Sequence, residues 1–390
     1  LACQPVLILL APAIPTYGVV ANVLAEPAAP VATVLGLISC LVLPVLPWLG
    51  GAIAWLAWLP AAWISAIARF FSAAPGASLP WPGGVGGVGL LVLATAAVLV
   101  FVLVRAERAR RLSALCIVLV VVGYLGVAAG DAVRIAVTRP ADWQIAACDI
   151  GQGDAVLLRS GGQVALIDTG PDPAPLADCL QQLGIARLDL LVLTHFDLDH
   201  VGGVDAVIGM TELVIAGPPS GDDDRQLLDG LAAGGAELRA ATRGMRGTLG
   251  ALDWQVLWPR KHPAPEPGND ASVTLSVDCH ERCLSAVFLG DLGERAQAML
   301  SGVNSIEQVD VVKVAHHGSA DQSAALYRRL RATVGLISVG AENSYGHPTD
   351  SVLDVLAGCG TLAVRTDLEG LVLLSPAHDG EVAVWSERAP

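Results

Sequence analysis

"LVLTHFDLDHVGG", residues 191–203, sets His195, Asp197, Asp199 and His200 within six positions directly behind an apolar run. A short apolar run bounded by turn signals predicts a buried strand, and Gly202-Gly203 lets the backbone pass close before the next element begins. The strand would deliver His195 to a sheet edge. The turn after it would bring Asp197, Asp199 and His200 around the same point. Ligands crowded on a tight turn between rigid elements suit two divalent cations a few ångströms apart, able to clamp a phosphoryl or carbonyl oxygen.

Working outward, other apolar runs also end in polar groups: "ALIDTG" at Asp168, "VFLGD" at Asp291 and "VVKVAHH" at His316-His317. Taken singly, each has a bland reading, Asp168 as a turn residue and a buried His as a core histidine. Isolated Asp and His are costly to bury, so their repetition at strand ends predicts a metal centre. From Trp143 onward, strands are expected in "WQIAACDIG", "AVLLRSG", "QVALIDTG", "LDLLVLTH", "ELVIAG", "LDWQVLWP", "SVTLSVDC", "LSAVFLGD", "VDVVKVAHHG", "VGLISVG", "TLAVRTD", "GLVLLS" and "EVAVWS". Helices are expected in "PLADCLQQLGI" and over residues 204–208, 294–300 and 323–330. This alternation suggests two sheets packed face to face with helices outside.

Composition divides the 390-residue chain. Residues 1–140 carry seven Arg, no Lys and three acids, a formal +4; residues 141–390 carry 16 basic and 34 acidic residues, a formal −18. We expect a transmembrane region over residues 1–135 and a separate domain over residues 141–390. Residues 86–104 and 112–130 are uncharged and meet the length of about 20 apolar residues that a membrane helix needs. Residues 31–49 are a third candidate, bent or ended by Pro44 and Pro47. Residues 51–71 hold Trp55, Trp58 and Trp63, so that segment either spans or lies along the headgroup region. The chain starts at Leu1 without a basic n-region, as expected of the carboxy-terminal part of a longer membrane protein rather than of a signal peptide.

"RAERARR", with Arg105, Arg108, Arg110 and Arg111, separates the two uncharged stretches. Positive loops favour the cytoplasmic side, which would place the acidic domain on the outer face; Arg134 and Arg139 argue the other way. Cys3, Cys40 and Cys116 read as small apolar residues of the membrane region. Cys279 and Cys283 flank the turn His280-Glu281-Arg282, and a disulfide between them fits an oxidising compartment. The Gly-rich residues 73–89 lack the Lys-Ser/Thr of a phosphate loop and read as a flexible linker.

Six motifs in order, "DIGQGDAVLL", "LIDTG", "THFDLDHVGG", "FLGD", "VKVAHHGS" and "NSYGHP", make the chain resemble the ComEC family of competence proteins within the metallo-β-lactamase superfamily. The match runs over about residues 143–386. It implies multi-pass membrane helices followed by an αββα sandwich with a dinuclear hydrolase site. By position, His195 and Asp197 would hold one metal, Asp199 and His200 the other, and Asp291 would bridge. One of His316 and His317 should complete a site; alternation along a strand assigns His317 as ligand and His316 to the substrate. His347 is placed near the leaving group. Asp199 is also a candidate for catalysis, and Gln152, Asp154 and Ser319 for the substrate rim. His262, His280 and His378 lie among polar turns and are expected to be exposed.

Two departures from the superfamily pattern matter. Asp197 stands where a second His is usual, which moves preference from zinc toward manganese, with magnesium also admissible. The region that usually supplies a further His offers "GNDASVTL", with Asn269, Asp270 and Ser272, and only His262 nearby. The resemblance implies import of transforming DNA across the cytoplasmic membrane, single-stranded in transit and double-stranded outside, alongside other competence proteins and with the oligomeric state open. A phosphodiesterase degrading the strand that is not imported is the leading expectation. A DNA channel with a guiding, non-catalytic domain and a membrane-tethered hydrolase of another substrate are the alternatives. The −18 charge counts against broad phosphate binding, which needs Lys and Arg.

Overall fold

The computed structural model describes residues 8, 13–72, 74–278, 283–302, 308–341, 343–377 and 381–388. The chain divides into two compact units, Leu1–Arg134 and Ile135–Pro390.

In the first unit, Gly18–Ala25 and Ala29–Val42 form a pair bent by 54° that is apolar enough to count as one broken span, and its second helix ends at Val42, just before Pro44. Three helices are long and apolar enough to cross a membrane: Pro47–Ser72, Gly84–Leu103 and Glu107–Thr138. The 20 residues of Gly84–Leu103 reach about 30 Å, the thickness of the hydrocarbon core. Their outward side chains are apolar and exposed, among them Leu103, Val102 and Leu119, as lipid-facing surfaces must be. Arg108, Arg110 and Arg111 open the helix Glu107–Thr138 rather than lying in a loop. The segment read as a linker carries structure: strand β2 (Ser78–Pro80) pairs antiparallel with β1 (Ala13–Pro15), and the next helix starts at Gly84.

In the second unit the strands are β3 (Ile145–Ala147), β4 (Val156–Ser160), β5 (Gln163–Ile167), β6 (Leu188–Leu193), β7 (Thr211–Ala216), β8 (Glu237–Ala240), β9 (Arg246–Leu249), β10 (Leu252–Trp258), β11 (Thr274–Asp278), β12 (Ala286–Phe288), β13 (Val311–Lys313), β14 (Val334–Ile337), β15 (Leu362–Arg365), β16 (Val372–Pro376) and β17 (Val382–Ser386). One sheet runs β17-β16-β3-β4-β5-β6-β7-β8 and the other β15-β14-β13-β12-β11-β10-β9. Ile145, Val156, Ile167, Val192, Phe288 and Leu336 fill the layer between the sheets. The other face of the first sheet buries Leu157, Leu166 and Leu191 against Leu176 and Leu180 of helix Pro173–Leu183. The other face of the second buries Val287 and Val312 against Leu326, Tyr327 and Leu356. These layers make the expected αββα sandwich.

Parallel pairing positions the chemistry. β5, β6, β7 and β8 are mutually parallel, as are β12, β13, β14 and β15. The carboxyl ends of parallel strands share one edge, where ligands of such sheets bind. Asp168, Thr194-His195, Asp291 and Ser338 all follow such ends.

Several local expectations change. Residues 204–208 give only a short 3-10 turn, Val204–Ala206, because the chain turns early through the four-residue helix Leu198–Val201. Helices Asp222–Ala233 and Asp350–Gly358 were not anticipated. Cys148 and Cys179 form a disulfide across a sequence separation of 31, tying the end of β3 to helix Pro173–Leu183. Cys283 is disulfide-bonded, while Cys279, His280 and His378 lie outside the described residues.

Candidate metal centre

Backbone contacts build the centre before any side chain enters it. Asp154 N donates to Asp199 O at 3.1 Å, Thr169 N to His200 O at 2.7 Å and Gly203 N to Gly170 O at 2.8 Å. These bonds lock the turns after β3, β5 and β6 together. A Cβ at Gly202 would lie 2.2 Å from Pro171 O, and one at Gly203 would lie 2.1 Å from Thr169 O. The paired glycines therefore serve close backbone approach rather than unusual dihedrals. From the second sheet, Ser338 Oγ donates to Gly153 O at 2.6 Å.

Three imidazoles converge at this edge. His195, His200 and His317 are each almost fully buried. Their Nε2 atoms, together with Asp291 Oδ1 and Asp154 Oδ1, are buried and make no hydrogen bond among the described residues. Their other ring nitrogens are held from behind. His200 Nδ1 lies 2.8 Å from Asp168 Oδ2, His317 Nδ1 2.9 Å from Ser338 O, and His195 Nδ1 3.1 Å from Thr194 Oγ1 and 3.3 Å from Ser272 Oγ. Metal-binding histidines are oriented in this way, with the second nitrogen fixed by an oxygen partner.

Asp291 is the hub. Its Oδ2 lies 3.3 Å from His200 Nε2, 3.4 Å from His317 Nε2 and 3.8 Å from His316 Nε2. Asp199 Oδ2 lies 3.2 Å from His317 Nε2. Ligand atoms of three overlapping groups, His195-His200-Asp291, Asp199-His200-His317 and Asp154-Asp291-His317, fall within 4.8 Å of one another. Unpartnered buried nitrogens and carboxylate oxygens facing one another fit divalent cations; packing alone would leave each of them uncompensated.

Charge agrees. Burial pushes the Asp154 carboxyl up, but Lys313 and His317 outweigh it and hold it at about 2. Burial likewise opposes ionisation of Asp291, and His200, His317 and Lys313 keep it well below the usual carboxylate range. Burial disfavours the imidazolium of His317, yet Asp291 and Asp154 lift it to about 9. His200 is raised well above its ordinary value against burial by Asp291 and Asp168. The field that lifts these imidazoles is the field that would hold a divalent cation, and cation binding would displace their protons.

The expected residues thus separate by position. His195, Asp199, His200, Asp291 and His317 come together. Asp197 stands at the open side beside His195: its side chain is 58% exposed and its Oδ2 lies 3.5 Å from His195 Nε2. Asp154, expected at the rim, is buried against Lys313 because the 151–154 turn folds inward under the 197–200 turn. Ser319 is also buried, its Oγ accepting from Asp321 N at 3.3 Å, which removes it from an open rim. Gln152 is half-buried and accepts from Gly340 N at 3.4 Å. His316 and His317 are not on a strand; β13 ends at Lys313, and both residues sit in a turn with φ of 49° and 52°. That turn, rather than strand alternation, buries His317 and leaves His316 partly open. His347 meets His316 edge-on, ring centroids 5.7 Å apart, and burial and His316 lower its pKa. His262 is exposed.

Lys313 was missed. It is 2% exposed, bonded to Asp154, 3.7 Å from Asp291 Oδ1, and donates to Gly290 O at 3.3 Å. A lone Lys inside the Val-rich run of a buried parallel strand is the signal that pointed to it.

The family model of the metallo-β-lactamase superfamily matches residues 148–224. ComE operon protein 3 of Bacillus subtilis (strain 168) is 29% identical over 249 residues, covering 57% of this chain and 32% of that protein. Competence protein ComA of Neisseria gonorrhoeae is 29% identical over 239 residues, covering 60% and 32%. The metallo-β-lactamase fold protein YhfI from Bacillus subtilis aligns with a TM-score of 0.40 and 14% identity over 62% of this chain and 99% of that one. The chain spans about a third of the length of the curated relatives it matches. The motifs, the superfamily match and these relatives together make the chain similar to the ComEC family of competence proteins.

Proposed function

We propose that this chain is the membrane-embedded and hydrolytic part of a DNA-uptake protein, multi-pass through residues 1–135, with a metal-dependent phosphodiesterase over residues 141–390 that degrades the strand not imported. The observation that carries it is the convergence of His195, His200, His317, Asp291 and Asp154, whose three Nε2 atoms, Asp291 Oδ1 and Asp154 Oδ1 make no hydrogen bond among the described residues. Two divalent ions held there, manganese by preference, supply Lewis-acid polarisation and charge neutralisation at phosphorus. The chain's own residues do the rest. Asp168, Ser338, Thr194 and Ser272 fix the imidazole rings. Lys313 holds Asp154 and faces Asp291. Asp199 is half-buried; His317 outweighs the opposing effect of burial and lowers its pKa, so it is ionised at neutral pH and placed to take a proton from attacking water. His316 and His347, at the open side, position the leaving group.

The Arg-rich start of helix Glu107–Thr138 favours the cytoplasmic side, which supports an outer-face reading for the hydrolytic part. The Cys148–Cys179 disulfide supports that reading, since such bonds persist in oxidising compartments. The test is cleavage of labelled single-stranded DNA by the full chain in detergent, with manganese or chelator. Cleavage that needs manganese and is lost in Asp291→Ala supports the proposal. Full cleavage in chelator or in that variant rejects it.

A further inference from the structure

The acidic balance of residues 141–390, a formal −18, leaves an affinity problem, because phosphate contacts need cationic side chains. The surface around the metal centre suggests where affinity comes from. Among the described large apolar side chains of residues 141–390, the two most exposed are Leu198 at 72% and Tyr345 at 71%. Single exposed apolar residues are ordinary on a protein surface. These two sit on the loops that border one cluster: Leu198 lies between Asp197 and Asp199, and Tyr345 lies two residues before His347.

Tyr345 is also held in a defined pose. One ring face stacks on His347, centroids 5.9 Å apart and planes 28° apart. His347 meets His316 edge-on at 5.7 Å, and His316 Nε2 stands 3.8 Å from Asp291 Oδ2. The loop is braced by Asn343, whose Nδ2 donates to Gly340 O at 2.9 Å and His347 O at 3.0 Å, and whose Oδ1 accepts from His347 N at 3.1 Å. A rigid aromatic ladder therefore runs from the cluster to an open ring face.

We propose that Tyr345 is a base-stacking platform, with Leu198 as its apolar counterpart across the mouth, and that it selects single-stranded DNA by holding a nucleobase beside the scissile phosphate. This rests on the phosphodiesterase reading of the same site. Stacking on an aromatic ring needs no net positive charge and tolerates any base. A duplex keeps its base faces inside its own stack and offers none to Tyr345. Selection for single-stranded DNA thus follows from an exposed ring face and needs no net positive charge.

The experiment compares wild type, Tyr345→Ala and Tyr345→Phe, as full chains in detergent with manganese. The substrates are a labelled single-stranded oligonucleotide and the same strand made abasic around the cleavage position. Tyr345→Ala should lower kcat/KM on the normal strand by about 5- to 150-fold, chiefly through KM, while leaving the abasic strand unchanged. Tyr345→Phe should restore the rate. Equal rates for Tyr345→Ala and wild type on the normal strand overturn the inference, as does an equal loss on both strands. A wild-type chain that cleaves neither strand overturns the phosphodiesterase reading and this inference with it.

Discussion

Replacing Lys313 by Met removes the one ammonium in the core of the cluster while keeping much of the side-chain volume. In the folded chain Lys313 is bonded to Asp154 and lies 3.7 Å from Asp291 Oδ1. At an effective dielectric of about 20, a pair at this separation interacts by about 4 kcal/mol. Breaking a buried pair by deleting one partner costs about 3–5 kcal/mol, because the remaining charge stays buried. For a unit of this size that corresponds to a fall of roughly 6–20 °C in the midpoint of thermal unfolding. A divalent cation bound to the same carboxylates would supply positive charge in place of the ammonium. The loss should therefore be large in chelator and smaller in manganese, so that manganese raises Tm more in the variant than in wild type. Thermal unfolding of both full chains in detergent, with chelator and with manganese, measures all four midpoints. A variant that melts with wild type in chelator, or that gains less from manganese, refutes the charge-compensation argument.

Stability without metal should depend on pH through His317. Its folded pKa of about 9 lies above the unfolded value, so its contribution is fully present below about pH 6.5 and disappears as pH rises through about 9; the fall should be smaller in His317→Gln, in which only the raised His200 remains, measured by unfolding in chelator. Manganese affinity should rise over the same interval as imidazole protons stop competing, which calorimetric titration at several pH values measures. Gly153→Ala should cost about 100-fold in hydrolysis, because the added Cβ falls 2.1 Å from Asp199 O at a φ of 140°; unchanged rates on labelled DNA would show that the turn does not position Asp199.

The β6 stretch disclosed the sandwich because a buried parallel strand must be almost wholly apolar and must end in a turn. His195 and His200 were legible for the same reason: no core requires imidazoles there. Asp154 was not, since a carboxylate in "GQGD" reads as an exposed turn until the 151–154 and 197–200 turns are seen to share backbone bonds. The assignment of His317 came from strand alternation, yet both histidines occupy a left-handed turn, a geometry that residue type does not announce outside Gly and Asn. Asp197 was drawn into the ligand set by its place in the motif; the fold leaves its side chain 58% exposed, with Oδ2 3.5 Å from His195 Nε2. Helix Asp222–Ala233 begins with three acidic residues and buries only Leu231 fully, with Leu227 and Leu228 partly buried beside it, so its apolar stripe is short and easily passed over. The Cys148–Cys179 pair joins positions 31 apart, and cysteine spacing alone cannot select among possible partners.

Metal content tests the assignment of these residues most directly. Manganese titrated into the chelator-treated full chain, followed by the loss of the free-ion paramagnetic resonance signal, should show about two ions bound per chain, the number a two-metal phosphodiesterase requires. Asp291→Ala, which removes the carboxylate facing His200 and His317, should lose at least one of them. A wild-type chain that binds no manganese, or an Asp291→Ala chain that binds as much as wild type, contradicts a metal centre at this edge of the sandwich.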